Sequence, residues 1–213
     1  MSAEHYEDEH GHQHTWTPPS ELEARVRALE SLLVEKGRAS SEAIDALVEK
    51  FEKDVGPMLG ARVIARAWTD EDFKRRLLED SDAVIGEMDL AGMEAEHMHV
   101  VENSPGEHNV VVCTLCSCYP WGLLGLPPAW YKSPAYRSRT VKEPRAVLSE
   151  FGLELDEGTK VTVWDSSADT RFLVLPERPE GTEGWSEEQL AELVTRDSMI
   201  GVSLALEPEA TPA

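Results

Sequence analysis

Apolar residues recur at helical spacing through the first part of the chain and at strand-like spacing through the second. Leu22, Val26, Leu29 and Leu33 step by three and four positions, the interval that lines side chains along one face of a helix. Ser20 and Glu23 make a capping box at its start, and Gly37 stands at its end. A second helix is predicted from Ser40, carrying Ile44, Leu47, Val48, Phe51 and Val55 and stopped by Gly56-Pro57. A third segment holds Val63, Ile64, Ala67 and Trp68, and Thr69 is expected to cap a fourth with Phe73, Leu77 and Leu78 on one face. The first two helices carry apolar stripes in strongly charged surroundings, with no local sheet to receive them. Either they form an arm that buries its stripes on another chain, or they close on themselves as a small helical subdomain.

After about residue 95 the period changes. Met98 to Glu102 and Asn109 to Val112 read as short strands separated by a Ser104-Pro105-Gly106 turn. Pro127-Pro128 is expected to open a helix, and Arg145 to Phe151 is a further helical stretch ending at Gly152. Lys160 to Trp164 and Arg171 to Leu175 read as another strand pair. Ser186 with Gln189 forms a capping box that opens a helix through Val194. This half is therefore mixed α and β. Residues 1–19 hold four acids and His5, His10, His12 and His14 without apolar periodicity, and are expected to be a disordered tail. Its histidines are either incidental or a means of capturing metal in transit.

Charge narrows the partners. With 20 Lys+Arg against 41 Asp+Glu the formal net charge is −21, which repels phosphate backbones and anionic lipid, so neither nucleic acid nor a membrane surface is expected. No apolar run approaches the ~20 residues that span a bilayer, and the start of the sequence lacks a secretory pattern. The 3 cysteines are odd in number and clustered, unlike a disulfide framework, which points to the cytoplasm.

Those cysteines are the candidate chemistry: Cys113-Thr114-Leu115-Cys116-Ser117-Cys118. A structural zinc site uses four protein ligands, usually as two separated pairs, and an iron–sulfur cluster likewise uses four. This chain has no second pair. Disulfide pairing would leave one thiol over. Spacing alone leaves a structural or redox role open beside catalysis. Cys116-Ser117-Cys118, however, turns the amides of Ser117 and Cys118 toward the sulfurs. An ion gripped by Cys113, Cys116 and Cys118 can also take those two amide nitrogens, leaving a further position open. Deprotonating an amide suits a small trivalent ion better than zinc, which favours Co(III) or Fe(III). An open position on such a Lewis acid means activated water or a polarised substrate.

The residues around this cluster extend the pattern. Val112 to Trp121, Leu124-Gly125-Leu126-Pro127-Pro128, Trp130-Tyr131-Lys132, Tyr136-Arg137-Ser138-Arg139, Val163-Trp164-Asp165-Ser166-Ser167, Leu175-Pro176-Glu177-Arg178-Pro179 and Arg196-Asp197-Ser198-Met199-Ile200-Gly201 closely resemble the α subunit of nitrile hydratase. The likeness runs over roughly residues 20–203. It implies an α+β chain: a tail over 1–19, a helical arm over 20–90 packing on a partner subunit, a layered αββα-type globular domain over 91–206 carrying the metal-claw loop, and a tail over 207–213. It implies that Cys113 is an axial thiolate, that Cys116 and Cys118 are oxidised to sulfinic and sulfenic acid, and that both take part in catalysis. The ion would be Co(III) rather than Fe(III), because Thr114 and Tyr119 match the cobalt members of the family. The reaction would be nitrile plus water to amide, on a small nitrile, with the Cys118 sulfenate oxygen as base or nucleophile.

The resemblance also implies a β subunit, in an αβ heterodimer or a heterotetramer, whose arginines meet the oxidised sulfurs, and an activator protein that loads the metal. Trp121 is expected to line the pocket or to stand as a core aromatic behind the loop. Asp165, Asp169 and Arg171 resemble an outer shell around the metal, or are an ion-paired strand surface. The sequence departs from the family at three places. Asp169 stands where Glu is common, Glu94-Ala95-Glu96 stands where Gln-Gly-Glu is usual, exchanging a donor for a carboxylate, and Gly122 stands where Pro is usual. Two other readings remain: a thiocyanate hydrolase-type subunit with the same cobalt site, and a non-catalytic metal-binding protein.

Overall fold

The computed structural model describes residues 5–7, 13–15, 21–45, 56–88 and 97–208. The chain divides into two units, Met1–Glu49 and Lys50–Ala213. In the first, the apolar stripe yields helix α1 (Glu21–Glu35). Arg25 braces it one turn ahead on Glu21 at 2.5 Å, and Gly37 ends it at φ 60, where the Arg38 amide reaches back to the Leu33 carbonyl at 2.8 Å. Val26, Leu29, Leu32 and Leu33 stand exposed along its face. Ser40 accepts from the Ala43 amide at 3.1 Å and opens a helical segment over 41–45. The rest of that predicted helix lies outside the described residues. Within 1–19, where the composition predicts no order, strands β1 (His5–Glu7) and β2 (Gln13–Thr15) pair antiparallel; a lone two-stranded ribbon of this kind is marginal in water. His10 and His12 lie outside the described residues.

In the second unit Pro57 starts α2 (Pro57–Thr69), which buries Val63, Ile64, Ala65 and Ala67. Thr69 does not cap the next helix. It ends α2, turning its hydroxyl back to the Arg66 carbonyl at 3.1 Å. The carboxylate of Asp70, a stronger acceptor, caps α3 (Glu71–Glu79) through the Phe73 amide at 2.9 Å. α4 (Ser81–Glu87) follows, capped by Asp80. Ser81 and Asp82 then accept from the amides of Val100 and Met98, tying α4 to the first long strand.

That strand is β3 (His97–Glu102), followed by β4 (Glu107–Val112), β5 (Lys160–Asp165) and β6 (Thr170–Leu175). The neighbours expected to pair do not. β3 runs parallel to β6, His97 opposite Thr170 through Glu102 opposite Leu175, and β4 runs parallel to β5, Glu107 opposite Lys160 through Val112 opposite Asp165. A buried polar corner explains the split. Asn103 Oδ1 accepts from the Asn109 amide at 2.8 Å, Asn109 Nδ2 donates to the Glu102 carbonyl at 2.8 Å, and His108 bonds Asn103 at 3.2 Å and the Gly201 carbonyl at 2.7 Å. These side chains occupy the turn and send β4 into a separate ladder.

α5 (Trp121–Leu124), α6 (Pro134–Arg139) and α7 (Pro144–Glu150) follow β4. Pro127-Pro128 opens turns rather than a helix, since a residue before proline is kept from helical dihedrals; the helix waits for the Ser133 cap and Pro134. α8 (Glu187–Glu192) has the predicted Ser186–Gln189 box, and α9 (Arg196–Ile200) is capped by Thr195. α3 and α4 pack on β3 and α9 on β6, β4 meets β6 between the ladders, and α7 covers β5. This is the layered α/β/β/α arrangement. Residues 57–87, assigned from the sequence to an arm, belong to this body: α2 contacts α5, α8 and α9, and its side chains are core because Pro57 begins a helix apolar enough to be buried along most of its length.

Candidate metal centre

The cysteine loop begins where β4 stops. Val112 is the last ladder residue, opposite Asp165, and its carbonyl accepts from the Ser166 amide at 2.7 Å. Cys113 follows directly, so a rigid strand end delivers the first sulfur. The three Sγ atoms lie within 4.8 Å of one another. Cys113 and Cys116 sulfurs are 3.5 Å apart, Cys116 and Cys118 2.9 Å, and the Cys116 amide donates to Cys113 Sγ at 3.3 Å. The backbone amides of Ser117 and Cys118 both point at the Cys116 sulfur. The three sulfurs therefore come together with the Ser117 and Cys118 amides on Cys116, and this donor set fits a thiophilic ion that can displace amide protons.

The thiols differ. Cys113 and Cys118 are buried and Cys116 is exposed. Hydrogen bonds from Cys118, then Cys113, hold the Cys116 thiol down to about 7. Burial pushes Cys118 up to about 12, and sharing a proton with Cys116 adds to it. The first proton to leave the pair is thus lost near neutrality, from the side that faces solvent.

Four side chains support the loop from beneath and beside. Asp165 accepts from the Thr114 amide at 2.9 Å and its hydroxyl at 2.6 Å. Arg137 donates Nε to the Cys113 carbonyl at 3.1 Å and Nη2 to the Thr114 carbonyl at 2.8 Å. Tyr131 donates to the Cys118 carbonyl at 2.9 Å, and Tyr136 to the Val111 carbonyl at 2.6 Å. Arg171 is buried, bonds the Ser167 carbonyl, and lies near enough for its charge to favour the Cys118 thiolate.

Of the residues singled out from sequence, Cys113, Thr114, Cys116, Ser117, Cys118, Asp165 and Arg171 meet at this loop. Tyr119 points away from solvent and packs edge-on against Tyr131 at 5.0 Å. Its hydroxyl, buried near Arg196 and Asp197, has no hydrogen-bond partner among the described residues. Trp121 is 51% exposed at the start of α5, on the rim rather than in the core. Asp169 is exposed in the turn before β6. Glu94 lies outside the described residues. Arg137, Tyr131 and Tyr136 were not singled out, since bonds spanning 13 to 25 residues leave no periodicity to read.

The loop lies on an open face. Leu115 is 80% exposed, and Trp121 and Leu126, which follow the loop in sequence, are 51% and 61% exposed, apolar exposure of the kind that marks a contact surface. The concavity beside it, about 410 Å³, is lined by Thr114, Pro134, Arg137, Ser138, Val141 and Lys142. A larger cavity of about 690 Å³ between α2 and α8 contains no cysteine and is remote from this chemistry.

Comparison with known proteins places these features. The family model "Nitrile hydratase, alpha chain" matches residues 20–203. The chain is 57% identical over 194 residues to a nitrile hydratase subunit alpha of a Rhodococcus species, covering 91% of this chain and 96% of that one. It is 56% identical over 188 residues to the low-molecular weight cobalt-containing nitrile hydratase subunit alpha of Rhodococcus rhodochrous, covering 88% and 91%. Thiocyanate hydrolase subunit gamma of Thiobacillus thioparus is 43% identical over 197 residues, covering 87% and 80%. Among solved structures, a double mutant of the Fe-type nitrile hydratase from Comamonas testosteroni Ni1 superposes with a TM-score of 0.83 at 43% identity, covering 92% of this chain and 97% of that one.

Proposed function

The chain belongs to the nitrile hydratase α-chain family, and from that premise we propose that it is the metal-bearing subunit of a cobalt enzyme that adds water to organic nitriles to give amides. The observation that carries this reading is the convergence of three sulfurs within 4.8 Å, with two backbone amides turned toward them, at the end of β4. Cys113, Cys116 and Cys118 sulfurs with Ser117 and Cys118 amide nitrogens would hold Co(III). Identity is higher to a cobalt-containing relative, 56%, than to the Fe-type structure, 43%. When bound, the ion supplies Lewis acidity for attack of water on the nitrile carbon.

The residues present divide the remaining work. Cys116, the exposed thiol, would be the one oxidised furthest, to sulfinate, with dioxygen as the oxidant. Buried Cys118 stops at sulfenate, and Cys113 stays a thiolate. The Cys118 sulfenate oxygen is the base or nucleophile toward the nitrile. Asp165 and Thr114 fix the loop that presents it, Arg171 offsets charge at Cys118, and the exposed Trp121 offers an apolar wall to the organic group.

An open loop with exposed apolar residues near it in sequence calls for a second chain to close the pocket. A β subunit fits this role, in an αβ heterodimer or a heterotetramer, docking also on the α1 stripe of Val26, Leu29, Leu32 and Leu33. An activator protein would deliver the metal. Among the described residues no helix is long and apolar enough to cross a membrane, and the three free thiols suit the cytoplasm. The test is turnover by the complex co-expressed with its β subunit. Amide formation from simple nitriles is expected. Hydrolysis of thiocyanate without nitrile turnover would favour the second reading, which the 43% identity to a thiocyanate hydrolase subunit supports.

A further inference from the structure

Every polar group of Thr114 is held by a charged side chain. Asp165 takes its amide at 2.9 Å and its hydroxyl at 2.6 Å, while Arg137 takes its carbonyl at 2.8 Å and that of Cys113 at 3.1 Å. None of these bonds uses a sulfur or the amides of Ser117 and Cys118, so none has to break when an ion enters. Arg137 is itself presented from a fixed base. α6 is capped by Ser133, and the preceding residue, buried Tyr136, bonds the Val111 carbonyl at 2.6 Å. One short helix thus grips both the last turn of β4 and the first two residues of the loop.

Charge adds a second reason. Three thiolates and two deprotonated amides bring more negative charge than a trivalent ion cancels. A guanidinium cannot lose its proton, and its planar fork matches two adjacent carbonyls. Buried Arg171 acts on Cys118 as well. The subunit therefore carries cations of its own around the loop, independent of any partner.

We propose that Arg137 is a positioning residue of the metal centre: its guanidinium, bonded to the Cys113 and Thr114 carbonyls opposite Asp165, holds the loop in its ligating shape before the ion arrives and offsets part of the charge the loop accumulates. This rests on the reading of the loop as a metal site. The test uses the αβ complex expressed without cobalt, titrated with Co(II), and read by thiolate-to-cobalt absorption. Wild type, Arg137→Met and Arg137→Lys are compared. Losing two charge-assisted bonds predicts cobalt affinity weaker by roughly 10- to 100-fold in Arg137→Met, with a shifted absorption band. Arg137→Lys, which keeps charge but not the fork, is expected to lie between. Equal affinity and an identical band in wild type and Arg137→Met would overturn the proposal. Full loading of Arg137→Lys would overturn the positioning part, leaving charge alone. If wild type binds no cobalt through sulfur, the metal reading itself fails, and the inference with it.

Discussion

Three buried tyrosines surround the base of the loop, and their hydroxyls have different surroundings, which makes a sharp prediction. Tyr131 is fully buried and donates to the Cys118 carbonyl at 2.9 Å. That carbonyl has no other partner among the described residues, so Tyr131→Phe keeps the ring and strands a buried acceptor. Such a loss costs about 1–3 kcal/mol. For a chain of this length that is roughly 2–12 °C in Tm. Tyr119 is also buried, against the same ring at 5.0 Å, but its hydroxyl is unpartnered among the described residues. Tyr119→Phe removes an unsatisfied polar atom from the interior and should be neutral or stabilising by about 1 kcal/mol. Thermal unfolding of the αβ complex, followed by circular dichroism, reads both. A Tyr131→Phe complex as stable as wild type, or a Tyr119→Phe complex that loses more than Tyr131→Phe, would refute the hydrogen-bond assignments beneath the loop.

Other outcomes follow from the same geometry. Asp165→Ala removes both bonds to Thr114; because these lie near solvent the cost is about 1–2 kcal/mol, seen as lower cobalt content by metal analysis, whereas Asp165→Asn can still accept from the amide and donate to the hydroxyl and should lose much less. Burial holds the His108 imidazole below its ordinary range, only partly opposed by its bond to the Gly201 carbonyl. Below about pH 6.5 the unfolded chain takes up a proton that folded His108 refuses, so stability should fall by up to about 1.4 kcal/mol per pH unit from there down to the folded pKa. His108→Gln should flatten that slope in denaturant titrations run from pH 8 to 5. Gly201→Ala would set a Cβ 2.0 Å from the Asn109 carbonyl oxygen at φ +87. It should cost more than about 3 kcal/mol and leave little soluble protein on expression.

Local signals are legible in the sequence. The α1 stripe, the Ser186–Gln189 box and the four strands all follow from periodicity or capping chemistry, and Cys113, Cys116 and Cys118 stand close enough in sequence that their meeting is nearly forced. Long-range choices were not readable. Nothing local tells β3 to pair with β6 rather than with β4; the decision lies in Asn103, His108 and Asn109, whose side chains bond across the turn and to Gly201. Burial of 57–87 depends on where the sheet lies, which a helical stripe does not record. α9 is five residues long, too short for a period to show. At the loop the ligands were legible, and Asp165 through the likeness of its stretch to the family, but Arg137 was not, because it reaches Thr114 across 23 residues.

In the proposed enzyme Cys113, Cys116 and Cys118 hold cobalt in an oxidised sulfur cage. Metal analysis of the co-expressed αβ complex, joined to intact mass of the peptide spanning 113–118, reads both the ion and the oxidation. Stoichiometric cobalt, with two oxygens added at Cys116 and one at Cys118, is the predicted result. Stoichiometric zinc, or an active cobalt-loaded complex with all three thiols unmodified, would contradict it.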